Sequence, residues 1–416
     1  LATRRPSIYI PTLYFAEGLP YTIVNMMSVV FFKTLGCSNE FIGLTSFLYI
    51  PWTIKLFWAP LVDVYSTKRK WILTCQFLLA ILIGVLAFAT LSAQATVAAL
   101  VLLALIALAS ATHDVVIDGF YLDALPKRDQ AFYVGIRNTF YKVALLLGAG
   151  GLVYLAGKIG ETSSVHVGWS AAFGVCALVF VFLTIFHSYY LPDPPVTRAQ
   201  ELPNRKEGSL FFRVFSTYFQ QPAIAAIVAY ILIFRLGDAL MLKMAQPFLL
   251  DSLSKGGLQV STADVGLIYG TVGMIFLLIG GVLGGYLIAK DGLKKWLLPT
   301  ALIQNSAILL YWALSYFRPG LPWVYAVNSI EQFSYGLGVA AYTVFLLGTV
   351  KPEFKAAHYA IATALMALGI MLPGAASGYL SEWLGYSNFF LLAFIASIPG
   401  MITIFFLPLS NESNAR

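Results

Sequence analysis

Apolar residues fill this chain in long, nearly unbroken stretches. Each is closed by a short cluster of proline, glycine or charge, such as "DALPKRDQ" (123–130) or "TVKPEFK" (349–355). A helix needs about 20 apolar residues to cross the hydrocarbon of a bilayer. Twelve stretches reach that length, over residues 7–32, 40–62, 71–91, 97–122, 131–156, 168–191, 219–247, 262–289, 296–317, 321–349, 355–380 and 386–408. The pattern predicts an all-α polytopic membrane protein with twelve transmembrane helices. Glu17 and Pro20 interrupt the first run, so it is not expected to be a cleavable signal.

Composition agrees with this reading. Of 416 residues, 59% are hydrophobic and 11% charged, and the mean hydropathy is +0.80. A soluble domain carries about 25% charged residues. The longest polar insertion, "PDPPVTRAQELPNRKEGS" (192–209), follows the sixth stretch. The expected organisation is a six-helix bundle over 1–191, a central loop over 192–218 and a second six-helix bundle over 219–416. Lys and Arg in the loops fall seventeen on one side and four on the other. The basic side, with both termini and the central loop, is therefore expected to be cytoplasmic. These loops account for the net charge of +7, so no nucleic-acid partner is implied. Cys37, Cys75 and Cys176 show neither a disulfide framework nor a metal-binding spacing.

The halves repeat in parallel. Pro126 and Pro352, Ala131 and Ala357, Tyr133 and Tyr359, and Gly148 and Gly374 share an offset of 226. A basic loop closed by Trp, "KRKW" (68–71) or "LKKW" (293–296), joins the second and third spans of each half. Six plus six spans, a repeat and a long central loop are the signature of a major-facilitator transporter. The charges do not repeat: Asp114, Asp118 and Arg137 map onto Ala340, Val344 and Thr363. Charge was thus placed in the first half for a task beyond the scaffold.

Ionisable residues inside spans cost about 2.5–3.5 kcal/mol each on insertion scales and mark functional sites. Here they are Lys55, Arg137, Lys142, Arg235 and Lys243, against Glu17, Asp114, Asp118, Asp238 and Glu331. Depth along straight helices, at about 1.5 Å per residue, predicts two rungs between the fourth and fifth spans: Asp118 with Arg137, and Asp114 with Lys142. Asp114 and Asp118 share a face, and Asp118 reads equally as a packing pair, a gate or a ligand. His113 points about a quarter-turn away from Asp114. Candidate proton-coupling or substrate residues are Asp114, Asp118, Glu17 and Glu331. Substrate-binding candidates are Tyr14, Tyr21 and Asn25 on the first span; His113; Arg137, Asn138, Tyr141 and Lys142 on the fifth; Arg235 and Asp238 on the seventh; and Asn328 and Tyr335 on the tenth. The Tyr and Asn residues serve equally as interhelical glue, and Arg235 with Asp238 as a local ion pair. "GAGG" (148–151) lacks the context of a phosphate loop, and neither HExxH nor a Ser-His-Asp arrangement occurs. No enzymatic activity is expected.

"FAEGLPYTIV", "IKLFWAPLVD", "SATHDVVIDGFYLDALP" and "YILIFRLGDALMLKMAQPFL" resemble segments of the AmpG-type muropeptide permeases. The likeness runs through most of the chain. It implies a proton-driven symporter of the bacterial inner membrane that imports anhydro-muramyl sugars, with or without peptide, for peptidoglycan recycling. It further implies that Asp114 matters for transport and that the helices carrying Glu17, Asp114, Asp238 and Glu331 line a cavity. The family often has Gln where this chain has His113. "D-x-x-x-D-G" at Asp114, Asp118 and Gly119 is also similar to the acetyl-CoA transporter family, so a carrier of acetyl-CoA or a related nucleotide-bearing anion is the alternative. The resemblance implies no cofactor beyond the proton gradient. The expected partners are a small-molecule substrate and membrane lipid, and the expected state is a monomer.

Overall fold

A computed structural model describes residues 5–59, 62, 66–192, 213 and 215–409, and every regular element among them is helical. Of the predicted central loop, residues 193–212 and 214 lie outside the described residues. The first helix, α1, spans Pro6–Thr34. The second predicted span is broken into Asn39–Leu44 (α2), a 3₁₀ turn at Thr45–Tyr49, Ile50–Ile54 (α3) and a second 3₁₀ turn at Lys55–Phe57. Pro51 stands in the first turn of α3, where a missing backbone N–H costs nothing, whereas a continuous helix would need it. The remaining long helices are α4 (Lys68–Ala89), α5 (Ala95–Ala124), α6 (Phe132–Thr162), α7 (Val165–Tyr190), α8 (Ile224–Leu250), α9 (Thr262–Asp291), α10 (Leu293–Phe317), α11 (Leu321–Gly348) and α12 (His358–Phe406).

Ten of these helices are long and apolar enough to cross a membrane among the described residues. The last, α12, holds two predicted spans, folded at Gly385, whose φ of 70° and ψ of 157° suit only glycine. Helix starts follow side-chain chemistry. The hydroxyls of Ser38, Thr67 and Ser164 accept from the backbone N–H of Phe41, Lys70 and Val167 at 3.3 Å each, satisfying a donor that the first turn leaves open. Phe77, Ile81, Val85 and Phe88 stand exposed at helical spacing along α4. A stripe of that kind belongs against lipid, and the protein is a multi-pass membrane protein.

The chain forms two compact units. Unit 1 comprises Leu1–Leu35, Leu48–Pro203 and Ser261–Thr271; unit 2 comprises Gly36–Phe47, Asn204–Val260 and Val272–Arg416. In unit 1, Tyr9, Leu13, Ile72, Val116, Ile117 and Phe120 build a core where α1, α4 and α5 meet. Two glycines bring α1 and α6 together. A methyl group on Gly18 would lie 2.8 Å from the Tyr141 carbonyl oxygen, and one on Gly148 would lie 2.6 Å from Thr22 Cγ2. In unit 2, Tyr230, Phe234, Tyr342 and Phe345 stack into a fully buried aromatic core between α8 and α11.

Candidate functional site

The charged residues of unit 1 gather where α1, α5 and α6 converge. Helix α5 runs without proline through its whole length, so Asp114 and Asp118 lie one turn apart on one face. The glycine seam between α1 and α6 holds these helices close, and Arg137 of α6 meets Asp118. Arg137 Nη1 donates to Asp118 Oδ1 at 3.3 Å and to the Tyr14 hydroxyl at 2.9 Å; Tyr14 in turn donates to Asp118 at 2.8 Å. The guanidinium lies 5.0 Å from the ring centres of both Tyr14 and Tyr121. Arginine is well suited to this place, because its planar cation can stack on rings while it donates in its own plane. Tyr121 also donates to the Gln130 carbonyl, which ties the end of α5 to the turn before α6. The predicted Asp118–Arg137 rung forms.

The other rung does not. Asp114 pairs with Lys55 instead of Lys142. Depth arithmetic assumed straight helices, whereas the second span breaks and presents Lys55 from a 3₁₀ turn. Lys142 is left with no ion pair or hydrogen bond among the described residues, unlike the other four intramembrane cations. It continues a row along α6 that includes exposed Asn138 and Thr139. Thr139 donates to the Gly135 carbonyl at 2.9 Å, so Asn138 and Lys142 are the members of the row for which lipid would be a costly neighbour.

Glu17, one turn from Tyr21 on α1, is 8% exposed and has no side-chain hydrogen bond among the described residues; its Oε2 is fully buried. Asn25 turns back to donate to the Tyr21 carbonyl at 3.1 Å. Tyr21 meets Trp52 at 5.3 Å, and Tyr49 and Tyr141 at 6.2 Å each, between ring centres. His113 is fully buried; its Nε2 meets the Gln76 amide at 3.2 Å, and Gln76 contacts His187 at 2.9 Å. His113 therefore belongs to the packing between α4, α5 and α7 and is withdrawn from the cluster of acids.

Unit 2 carries its own cluster. Arg235 Nε lies 2.9 Å from Asp238 Oδ2, to which the Gln304 amide also donates at 3.0 Å. Arg235 donates to the Tyr335 hydroxyl at 2.6 Å and lies over the rings of Tyr335 and Tyr342. Glu331 is 2% exposed and accepts from its neighbour Gln332 at 2.8 Å. Asn328 is buried and accepts from Tyr311 at 3.0 Å. The local Arg235–Asp238 pair expected from their spacing is present.

Sequence reasoning missed Lys55 as the partner of Asp114, Gln304 as a partner of Asp238, and the rings of Tyr49 and Trp52. One signal was available. Tyr49, Trp52 and Lys55 recur every three residues in "YIPWTIK", which puts them on one side of a tightly wound segment.

Comparison with known proteins extends the geometry. The family model of the Major Facilitator Superfamily matches residues 12–251. The anhydromuropeptide permease of Escherichia coli K12 is 26% identical over 397 residues, covering 94% of this chain and 77% of that protein. A putative transporter AmpG 4 of Rickettsia conorii is 23% identical, covering 94% of each. Among solved structures, a D-xylose–proton symporter superposes with a TM-score of 0.74 at 14% identity, over 98% of both chains. A nucleoside transporter superposes with a TM-score of 0.67 at 16% identity, over 96% of this chain and 98% of that one.

Proposed function

The chain belongs to the Major Facilitator Superfamily, and on that premise we propose that it imports anhydro-muramyl sugars, with or without attached peptide, together with protons. The carrying observation is the match to an anhydromuropeptide permease along 94% of this chain. The unit 1 site supports the same reading. Such ligands bring carboxylates from the lactyl and peptide groups, and Lys142 is a cation with no protein partner among the described residues. A nucleotide-bearing anion such as acetyl-CoA would bring several phosphates, and the other intramembrane cations of unit 1, Lys55 and Arg137, are already engaged by Asp114 and Asp118. Ligand binds unit 1 with its carboxylate at Lys142. Asp114 carries the proton and exchanges it against its pairing with Lys55, with Glu17 as the neighbouring acid. The proton gradient is the only cofactor, and the working state is a monomer in the bacterial inner membrane. Both termini face the cytoplasm, on the side richer in Lys and Arg.

Reconstitution tests this. Proteoliposomes with an inward proton gradient should accumulate a radiolabelled anhydro-muramyl disaccharide, and collapse of the gradient should stop it. Accumulation of acetyl-CoA in place of the disaccharide would overturn the substrate, and accumulation unaffected by the gradient would overturn the coupling.

A further inference from the structure

Three elements of unit 1 bring four aromatic rings together: Tyr21 from α1, Tyr49 and Trp52 from the broken second span, and Tyr141 from α6. Tyr49 and Trp52 lie 5.9 Å apart with their planes 31° from parallel, while Tyr21 stands nearly perpendicular to both, at 80°. Aromatic groups that are open elsewhere, such as Phe182, Phe186 and Tyr190, run along a single helix, and two that join separate helices are sealed. Phe31, Trp169 and Phe173 meet at 5.3–5.6 Å and are at most 1% exposed, and Tyr230, Phe234 and Tyr342 are equally closed. All four rings of the unit 1 group are only half-buried. Core packing would have covered them.

Their neighbours are ionisable. Glu17 lies one turn from Tyr21 on α1 and Lys55 three residues from Trp52, while Lys142 follows Tyr141 on α6 and points about a quarter-turn away from it. An apolar floor with polar groups at its rim is the usual construction of a small-molecule site. Here the floor is made of π-faces, which carry partial negative charge. The complementary ligand is flat, presents weakly positive C–H bonds from its face and places hydroxyl groups around its edge. A pyranose ring has that distribution. Aromatic residues of an interfacial belt are anchors between water and lipid, whereas these four turn towards one another from three separate elements.

We propose that Tyr21, Tyr49, Trp52 and Tyr141 form the floor on which a pyranose ring of the ligand stacks, with Trp52 and Tyr49 dominating the affinity. This rests on the muropeptide reading in naming the ligand, and it adds the place and the physical basis of sugar recognition. The carboxylate end of the ligand then lies towards Lys142 and its sugar face against the rings.

The test uses the full-length protein in detergent with two probes, an anhydro-muramyl disaccharide and methyl N-acetyl-β-glucosaminide. Saturation-transfer NMR on the unaltered protein should pass magnetisation from aromatic protons chiefly to pyranose ring protons. Trp52→Leu and Tyr49→Leu should each weaken disaccharide binding by about tenfold, and Trp52→Phe by no more than about threefold, with melting temperatures unchanged. Disaccharide binding that is indifferent to both leucine variants would overturn the sugar floor and leave the transport reading standing. Binding of the methyl glycoside with the same Trp52 dependence, but no binding or uptake of the disaccharide, would uphold the floor and overturn the substrate. Binding of neither probe overturns both. If the leucine variants fail to fold, the NMR measurement decides alone: saturation confined to acetyl or lactyl methyl groups would refute stacking.

Discussion

Arg137 and Asp118 in unit 1 meet at 3.3 Å, and Arg235 and Asp238 in unit 2 meet at 2.9 Å. Both arginines lie over two tyrosine rings and donate to a tyrosine hydroxyl. The surroundings differ. The first pair keeps 29% and 47% of its side-chain surface exposed, and the second keeps 5% and 2%. A pair withdrawn from water must keep its partner, because a stranded charge costs several kcal/mol. A pair that still touches water can exchange its partner for a ligand, a proton or solvent at small cost. The same residue types thus serve as a rivet in unit 2 and as an adaptable contact in unit 1.

The sharpest way to break this contrast is Asp114→Asn, which should abolish gradient-driven uptake while ligand binding and expression persist. Uptake at the original rate in liposomes would move the proton to Glu17. Next in size is the rivet itself. Asp238→Asn should destabilise the protein by about 3–5 kcal/mol through stranding Arg235, read as a large fall in melting temperature. Adding Arg235→Leu should recover much of that loss; additive losses would mean the pair is not coupled. Lys142→Ala comes third, with affinity for carboxylate-bearing ligands reduced by about tenfold and melting unchanged, and equal loss for uncharged sugars would refute the anion role. Smaller still is Asp118→Asn, which should cost about 0–1 kcal/mol given its exposure. A fall as large as that of Asp238→Asn would erase the distinction between the two units. Glu331→Gln, in a closed environment remote from exchange with water, should leave uptake within about twofold.

Much of this was legible in the order of residues. The apolar runs marked the membrane helices because bilayer thickness imposes a length that few other constraints imitate. The Asp118–Arg137 pair followed from matched depth on two regular helices, and the Arg235–Asp238 pair from a spacing of three residues. Asp114 found Lys55 instead of Lys142 because Pro51 and two 3₁₀ turns reshape the second span, and a uniform rise per residue cannot describe a segment that changes its winding. His113 looked like a neighbour of the acids in sequence, yet burial against Gln76 takes it elsewhere. The half-buried rings of Tyr49 and Trp52 were hidden by composition: in so apolar a chain, aromatic residues read as packing, and only the structure shows which rings from separate elements meet short of full burial.

The seam at Gly18 and Gly148 has a consequence for anyone mapping tolerance to substitution. Both positions lie where α6 meets α1, and the smallest possible side chain would push the helices apart. A mutational scan scored by lost uptake would rank these two featureless residues beside Asp114. Scored by abundance in the isolated membrane, the same scan should separate them: alanine at either glycine would thin the population of correctly assembled molecules, whereas an altered acid would leave a full complement of idle ones.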